Sequence, residues 1–295
     1  MLNWLKKQIN SSSVATLDKN AVLRVIGDRQ SGKTTYMASL AYWPNANPGS
    51  PVQRVNPIGE EGEQLVAQAQ NILEQGLAME STLPVADETE LKNYMLSISL
   101  KQKFSKDNVE LNINCKDYSG ELFSDLIHRP QDPLLQVYLE DCLEGSGILF
   151  LLDGTAHRKD GEYAQGLEKF LAALDRVDLD GQQRRIAFAL GKCEQPELWV
   201  NRHQPRKLVE MRFAKVKRVL YNWAEIGCLK LDYFATSAFG MLGTQYPEPN
   251  ARKLQKDRGG TRSVLKDPKR WRPFGLVAPI YWLCTGTRHK QLEDD

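Results

Sequence analysis

The sequence of 295 residues predicts an α/β fold, with a mainly parallel sheet, helices on both faces and one antiparallel edge strand. Two apolar runs, at 147–152 and 186–190, are typical of parallel strands that are buried on both faces, and 231–236 is predicted to be the last strand. Segments with helical periodicity separate these runs, as crossover connections require. A polar turn at 105–108 between two alternating segments predicts a hairpin, and this hairpin supplies the antiparallel strand.

The chain is predicted to form one domain. Residues 1–19 are expected to be an N-terminal helix and linker, and residues 20–295 a single domain with an insertion at 42–90. The polar, basic and Gly/Pro-rich stretch 241–273 predicts a loop, and 275–285 predicts an apolar closing helix. No shift in composition compels a second domain.

The remaining elements follow from local patterns in chain order. Apolar residues that step by four and three from Val209 to Trp223 predict one long helix. The other predicted elements are a strand at 21–26, a helix to about Ala41, a loop at 42–56, a helix at 60–77, hairpin strands at 94–100 and 109–115, and helices at 133–143 and 167–177.

Composition excludes several classes of protein. The five cysteines show no paired spacing, which argues against a disulfide framework or a zinc site and favours a reducing, cytoplasmic compartment. No run approaches the roughly 18 apolar residues of a membrane span, and the first residues do not resemble a secretory signal.

Charge is distributed unevenly along the chain. The net charge is +2, yet residues 202–290 hold 19 basic and 6 acidic side chains. Residues 252–272 alone contain nine Lys or Arg, which predicts a docking surface for an acidic protein partner. A solvated loop without a partner is the alternative. Nucleic acid is not excluded, although no recognised nucleic-acid module accompanies the charge.

A phosphate-binding motif lies between the first strand and the first helix. Residues 27–34 read Gly-Asp-Arg-Gln-Ser-Gly-Lys-Thr, which is the pattern G-x-x-x-x-G-K-[ST]. Backbone N–H groups of such a loop wrap a phosphate, Lys33 reaches the β- and γ-phosphates, and Thr34 ligands Mg²⁺. The motif predicts a nucleoside triphosphate with Mg²⁺, bound by Gly27, Asp28, Arg29, Gln30, Ser31, Gly32, Lys33, Thr34 and Thr35.

Polar residues follow three later strands, where ligands bind in parallel α/β sheets. Asp117 ends the hairpin and precedes Gly120 and Glu121; an aspartate there can hold Mg²⁺ through a water, and Gly120 can offer its N–H to a γ-phosphate. Two further groups follow later strands, namely Lys192 with Glu194 and Ser237 with Ala238.

The order of these motifs resembles that of the Ras-like GTPases of the translation-factor-related class, over about residues 20–240 and the final helix. Three features are similar to the bacterial double-GTPase proteins of predicted conflict and defence gene clusters. They are the long insertion before the hairpin, the Gly-Glu pair after Asp117, and the closing Trp-Leu helix.

The resemblance implies GTP or GDP and Mg²⁺ as ligands. Lys192 would pack on the base, Glu194 would face its Watson–Crick edge, and Ser237 with Ala238 would close the base pocket. Asp117 would hold the Mg²⁺ ion through a water. Residues 117–125 would form a switch, in which Gly120 senses the γ-phosphate. The first switch needs a Thr that reaches Mg²⁺, for which Thr82 is the first choice and Thr89 the second.

Departures from the family pattern leave the activity open. The base motif is usually Asn-Lys-x-Asp, whereas this chain has Gly191 and Glu194, so guanine preference is expected to be weaker; a solvated Lys-x-Glu turn is the alternative. Glu121 stands where Ras-like enzymes place the Gln that orients water, although a carboxylate there could act as a base. Arg29 could stabilise transferring charge or point into solvent.

The sequence therefore predicts a slow GTPase switch that binds protein partners through its switch segments or its basic loop. A nucleotide-binding scaffold with little hydrolysis is the first alternative, and an ATPase with a degenerate base pocket is the second.

Overall fold

The computed structural model describes residues 20–42, 49–71, 73, 93–101, 108–117, 121–129, 132–145, 147–177, 184–227, 229–243, 248–254 and 263–293. Within this part of the chain, no helix is long and apolar enough to cross a membrane. The predicted segment 1–19 and the switch candidates Thr82, Thr89 and Gly120 lie outside the described residues.

Seven strands of the described chain form one sheet in the order β2-β3-β4-β1-β5-β6-β7. All neighbours from β4 to β7 run parallel, while β3 is antiparallel to both β2 and β4. The strands are β1 (Asn20–Ile26), β2 (Val52–Ile58), β3 (Asn93–Lys101), β4 (Asn108–Asp117), β5 (Gly147–Asp153), β6 (Arg184–Gly191) and β7 (Leu229–Ala235).

This topology confirms the predicted fold class and adds an edge strand to it. The prediction of a loop over 42–56 was wrong for residues 52–56, which belong to β2. Only Val52 of β2 is fully buried. An edge strand with one partner and polar exposed positions lacks the strong apolar pattern of a central strand, so its composition resembles that of a loop.

Helices cover both faces of the sheet. They are α1 (Lys33–Ala41), α2 (Gly59–Gln70), α3 (Glu121–His128), α4 (Pro133–Glu144), α5 (Asp160–Val177), α6 (Pro196–Trp199), α7 (Pro205–Arg212), α8 (Ala214–Glu225) and α9 (Val277–Thr285). Leu149 and Leu151 of β5 point into a core with α1, α2 and α9. Ile148, Phe150 and Leu152 face α4, α5, α7 and α8 on the other side of the sheet. Burial on both faces explains the unbroken apolar run of β5.

The prediction of a single long helix from Val209 to Trp223 was wrong, because the helix is interrupted between α7 and α8. Phe213 has φ −136° and ψ 54°, which is not helical. The Asp160 carboxylate of α5 accepts hydrogen bonds from the N–H groups of Lys215 and Val216 and so caps the new helix start. A contact between residues 55 positions apart leaves no trace in the local apolar spacing.

The stretch 241–273 was predicted to be an irregular loop, but its described residues include two short antiparallel strand pairs. Met241–Leu242 (β8) pairs with Glu248–Pro249 (β9), and Ala251–Lys253 (β10) pairs with Ser263–Leu265 (β11). Asn250, which is fully buried, accepts from the N–H of Asp267 and donates to its carbonyl. Polar hydrogen bonds organise this segment, so hydrophobic periodicity did not reveal it.

Candidate nucleotide-binding site

The loop between β1 and α1 has the backbone conformation that close approach to a ligand requires. Gln30 and Gly32 have φ values of 63° and 96°, in the left-handed region. A Cβ atom on Gly27 would lie 2.1 Å from the Leu151 carbonyl oxygen, so only glycine fits at that position. The loop is therefore pressed against the end of β5 and curves into the N-terminus of α1.

Donor groups converge in this loop. Lys33 is 7% exposed, and its ammonium donates to the carbonyl oxygens of Gly27 (2.8 Å) and Asp28 (3.2 Å). The buried Ser31 hydroxyl has no hydrogen-bond partner among the described residues. Backbone N–H groups at the start of α1 add the positive end of a helix dipole. The Lys33 ammonium and the nearby Ser31 hydroxyl are donors of the kind that bind a phosphate group.

Asp28 braces the first half of the loop. Its carboxylate accepts hydrogen bonds from the Arg29 N–H (2.6 Å), the Lys159 ammonium (2.6 Å) and the Tyr163 hydroxyl (3.0 Å). The bond to Asp28 raises the pKa of Lys159, and burial raises that of Tyr163, so Lys159 stays charged and Tyr163 stays a neutral donor. The Arg29 side chain is exposed. Asp28 thus anchors the loop, and Lys159 offsets its charge.

Lys192 connects the end of β6 to the phosphate-binding loop. Its ammonium donates to Asp153 Oδ2 (2.6 Å) and to the carbonyl oxygen of Gln30 (3.0 Å). The other oxygen of Asp153 accepts from the N–H and hydroxyl of Thr155. Sequence reasoning missed Asp153, although the signal was available: it is the first polar residue after the apolar run 147–152.

Glu194 is held rigidly although it is almost fully buried, with 2% exposure. Its Oε2 accepts from the Ser237 hydroxyl at 2.5 Å, and the Ser237 oxygen in turn accepts from the Gly240 N–H at 2.8 Å. Burial raises the pKa of Glu194, while the hydrogen bonds from Ser237 and Gln195 act in the opposite direction. These hydrogen bonds fix the orientation of the Glu194 side chain.

One open cavity of ≈ 350 Å³ joins these groups. The lining residues come from the phosphate-binding loop with α1, and from the ends of β6 and β7. They include Ser31, Gly32, Thr35, Lys192, Glu194 and Ala238. The N–H of Thr236 donates to the Leu190 carbonyl, which holds the ends of β7 and β6 together. The cavity opens to solvent and has the phosphate donors at one end.

The β4 end lies beside β1. Asp117 is the last residue of β4 and pairs in register with Val25, two residues before Gly27. Buried Asp141 of α4 binds Arg24 of β1 (2.7 Å) and Lys116 of β4 (2.5 Å), which locks both strands to one helix. Glu121 is the first residue of α3.

The phosphate-binding loop offers one side-chain oxygen of the kind that Mg²⁺ binds beside phosphate. No group of three potential His, Cys, Asp or Glu ligands occurs in the part of the chain that the structure describes. Mg²⁺ usually takes most of its ligands from phosphates and water and only one or two from protein. Thr34, half-buried directly after Lys33, offers such a single hydroxyl ligand.

A family model described as Double-GTPase 2 matches residues 21–237, which include the phosphate-binding loop and the ends of β4, β6 and β7. The chain belongs to the Double-GTPase 2 family. It is therefore a P-loop G protein, and its family implies guanine-nucleotide binding. This confirms the resemblance that the motif order indicated.

Other comparisons are weaker. No curated protein sequence matches the chain. Similar solved structures include the Arl6 BBS3 small GTPase of Trypanosoma brucei with bound GppNp (14% identity, 74% of this chain and 87% of that chain, TM-score 0.38). The signal recognition particle receptor SRb-GTP/SRX complex of Chaetomium thermophilum is another (16% identity, 75% and 91% coverage, TM-score 0.41). These scores are too low to support an argument about function.

Proposed function

We propose that this Double-GTPase 2 protein is a Mg²⁺-dependent GTP-binding protein that acts as a slow GTPase switch. The single observation that carries the proposal is the cavity that connects the phosphate-binding loop to Glu194 and Lys192. One end of this cavity offers N–H, hydroxyl and ammonium donors, and the other offers a fixed carboxylate. A guanine nucleotide has the complementary groups at its two ends.

The phosphate end acts through charge and hydrogen bonding. The Lys33 ammonium exchanges the carbonyls of Gly27 and Asp28 for the β- and γ-phosphate oxygens, since an ionised acceptor binds it more strongly. The Ser31 hydroxyl and the loop N–H groups add donors. Thr34 would hold Mg²⁺ directly and Asp117 would hold it through a water, and the ion would supply further neutralisation of phosphate charge.

The base end reads the Watson–Crick edge of guanine. An ionised Glu194 accepts from N1–H and from the 2-amino group, while Ser237 keeps the carboxylate in place. Adenine presents an acceptor at N1, which a carboxylate repels. The Lys192 stem packs on the ring, and its bond to the Gln30 carbonyl links base and phosphate regions, a link that the missing Asn at Gly191 would otherwise provide.

Hydrolysis proceeds by in-line attack of water on the γ-phosphorus, which breaks the bond to the β–γ bridging oxygen. The developing charge on that oxygen is stabilised by Lys33 and the loop N–H groups, with Arg29 as a further cation. Glu121 follows the switch glycine. A carboxylate there repels γ-phosphate charge, so turnover is expected to be slow.

A scaffold with little hydrolysis is the second candidate. The position of Glu121 favours the scaffold, because an acid at the start of α3 is explained by the helix dipole and needs no catalytic role. Single-turnover GTP hydrolysis, measured beside GTP affinity and with Lys33→Ala as the control, separates the two. Tight binding with measurable Lys33-dependent phosphate release supports the switch, and tight binding without release supports the scaffold.

The basic stretch 252–272 is the proposed docking surface for an acidic protein partner, in keeping with a role in a bacterial conflict system. Arg252, Lys253, Lys269, Arg270 and Arg272 are exposed, and Lys266 pairs with Glu248. Binding through these charges should weaken steeply as salt rises. Pull-downs from the source cell should therefore lose partners at high salt or when the nine cations are changed to Gln; identical recovery would contradict the proposal.

Cysteine usage supports a reducing, cytoplasmic location. Cys142 and Cys193 are buried, and burial raises the pKa of both thiols, which makes them inert.

A further inference from the structure

The stretch 241–273 that follows β7 returns, before α9 begins, to residues 236–240, which form the base loop. Residues 271–276, the return segment, lie against residues 236–240. The N–H of Ser237 donates to the Phe274 carbonyl (2.9 Å), and the N–H of Phe274 donates to the Ser237 carbonyl (3.0 Å). The indole N–H of Trp271 donates to the Ala238 carbonyl at 2.7 Å. Three hydrogen bonds thus hold the loop that lines the base cavity.

Glycine at two positions makes this approach close. Gly240 has φ 72°, and a Cβ atom on it would lie 1.7 Å from the Arg272 carbonyl oxygen. Gly275 has φ 67°, and its Cβ would lie 2.3 Å from the Ala235 carbonyl oxygen. No other residue type fits either position without backbone movement. The contact between the return segment and the base loop is therefore specific rather than incidental.

The same return segment also holds the opposite wall of the cavity. Tyr36 of α1 lines the cavity, and its hydroxyl donates to the Leu276 carbonyl at 2.5 Å. Burial raises the pKa of Tyr36 well above its ordinary value, so the hydroxyl stays a neutral donor. The Trp271 ring, 5% exposed, stacks on Tyr42 just beyond α1, with ring centroids 5.8 Å apart. The segment therefore spans both walls.

We propose that Trp271 is a positioning residue that keeps the base loop closed and so determines how long a guanine nucleotide stays bound. This inference rests on the proposed function. Ala238 lines the cavity, and its carbonyl oxygen accepts a short hydrogen bond from Trp271 (2.7 Å) and a longer one from Ser39 (3.4 Å). Trp271 does not itself line the cavity. Without the indole N–H, the loop carrying Ser237 and Ala238 moves more freely. Glu194 then loses the fixed geometry that its bond from Ser237 provides.

The test is the dissociation rate of Mg²⁺–GDP from Trp271→Phe, followed with a fluorescent GDP analogue. Losing one hydrogen bond should speed release about fivefold. Binding of inorganic triphosphate, which uses only the phosphate end, should stay unchanged. Trp282→Phe is the matched control: Trp282 is 6% exposed, belongs to the same core and packs on Phe234. It should lower the melting temperature similarly and leave GDP release unchanged.

If Trp271→Phe fails to fold, a tryptophan analogue with sulfur in place of the indole N–H can be incorporated at position 271. This analogue keeps the shape of the indole ring and removes only the hydrogen-bond donor. Release of GDP at the native rate from Trp271→Phe or from this analogue overturns the proposal. Equal acceleration of GDP release by Trp282→Phe also overturns it. A native chain that binds inorganic triphosphate but no GDP contradicts the proposed function itself. Native GDP binding with unchanged release in the variants contradicts only the role of Trp271.

Discussion

Glu194 provides the sharpest test of base recognition. Glu194→Gln keeps the size of the side chain but replaces one acceptor oxygen with an NH₂ donor. Guanine presents donors at N1 and at its 2-amino group, so the amide group faces one of them donor to donor. Xanthine presents N1–H and a C2 carbonyl, which match the amide. The variant should therefore lose GDP affinity and gain affinity for xanthosine diphosphate.

The magnitude follows from the surroundings of the carboxylate. Glu194 is 2% exposed, so water cannot replace lost partners. Hydrogen bonds to charged groups contribute about 1.5–3 kcal/mol each, and the amide removes the acceptor of one of them. Losing about 1.5–3 kcal/mol weakens GDP binding about 10- to 150-fold. The Ser237 hydroxyl can still donate to the amide oxygen, so the fold should survive.

Isothermal titration with GDP, ADP and xanthosine diphosphate, all with Mg²⁺, measures the change. Glu197→Gln is the control, because Glu197 lies three residues away and is exposed. It should bind all three nucleotides as the native protein does. If Glu194→Gln keeps native GDP affinity, or weakens all three nucleotides equally, Glu194 does not read the base.

Four further predictions concern the same site. Lys33→Ala should weaken GTP binding at least about tenfold, by titration, with unchanged circular dichroism; native affinity would refute the phosphate role. Gly191→Asn with Glu194→Asp should widen the GDP-to-ADP affinity ratio, because it restores the usual Asn-Lys-x-Asp base motif. The Asn side chain fits, since a Cβ on Gly191 would lie at an ordinary 3.4 Å from the Ser31 carbonyl oxygen; an unaltered ratio would count against the assignment of the base motif. Glu121→Gln should speed single-turnover hydrolysis by removing charge near the γ-phosphate, whereas slowing would make Glu121 a base. Because burial raises the pKa of Glu194 and only the ionised carboxylate accepts both guanine donors, the GDP-to-ADP affinity ratio should decline as pH falls through that raised pKa, with no such decline in Glu194→Gln.

Sequence patterns predicted what depends on local repetition. The apolar runs of β5 and β6 identified central strands, because burial on both faces leaves only apolar side chains. The phosphate-binding loop was equally readable, since its glycines and Lys33 must lie at fixed spacing. Edge strand β2 and the break at Phe213 were missed, because exposure and a cap from Asp160 decide them.

Contacts across the chain explain what was missed at the site. The Asp28–Lys159 pair spans 131 positions, and the Trp271–Ala238 bond spans 33. Neither has a local signature, because a lysine or a tryptophan at those positions also suits an exposed or a core site. Asp153 differs from them, since its place directly after an apolar run was visible in the sequence.

Nucleotide competition tests the central claim most directly. Labelled GDP bound to the 295-residue protein in Mg²⁺ is displaced with unlabelled GTP, GDP, ATP and ADP. The joined phosphate and base regions of the cavity predict displacement by GTP and GDP at clearly lower concentrations than by ATP and ADP. Equal displacement by guanine and adenine nucleotides, or no GDP binding at all, would contradict the assignment of Glu194 and Lys192 as the guanine-reading residues.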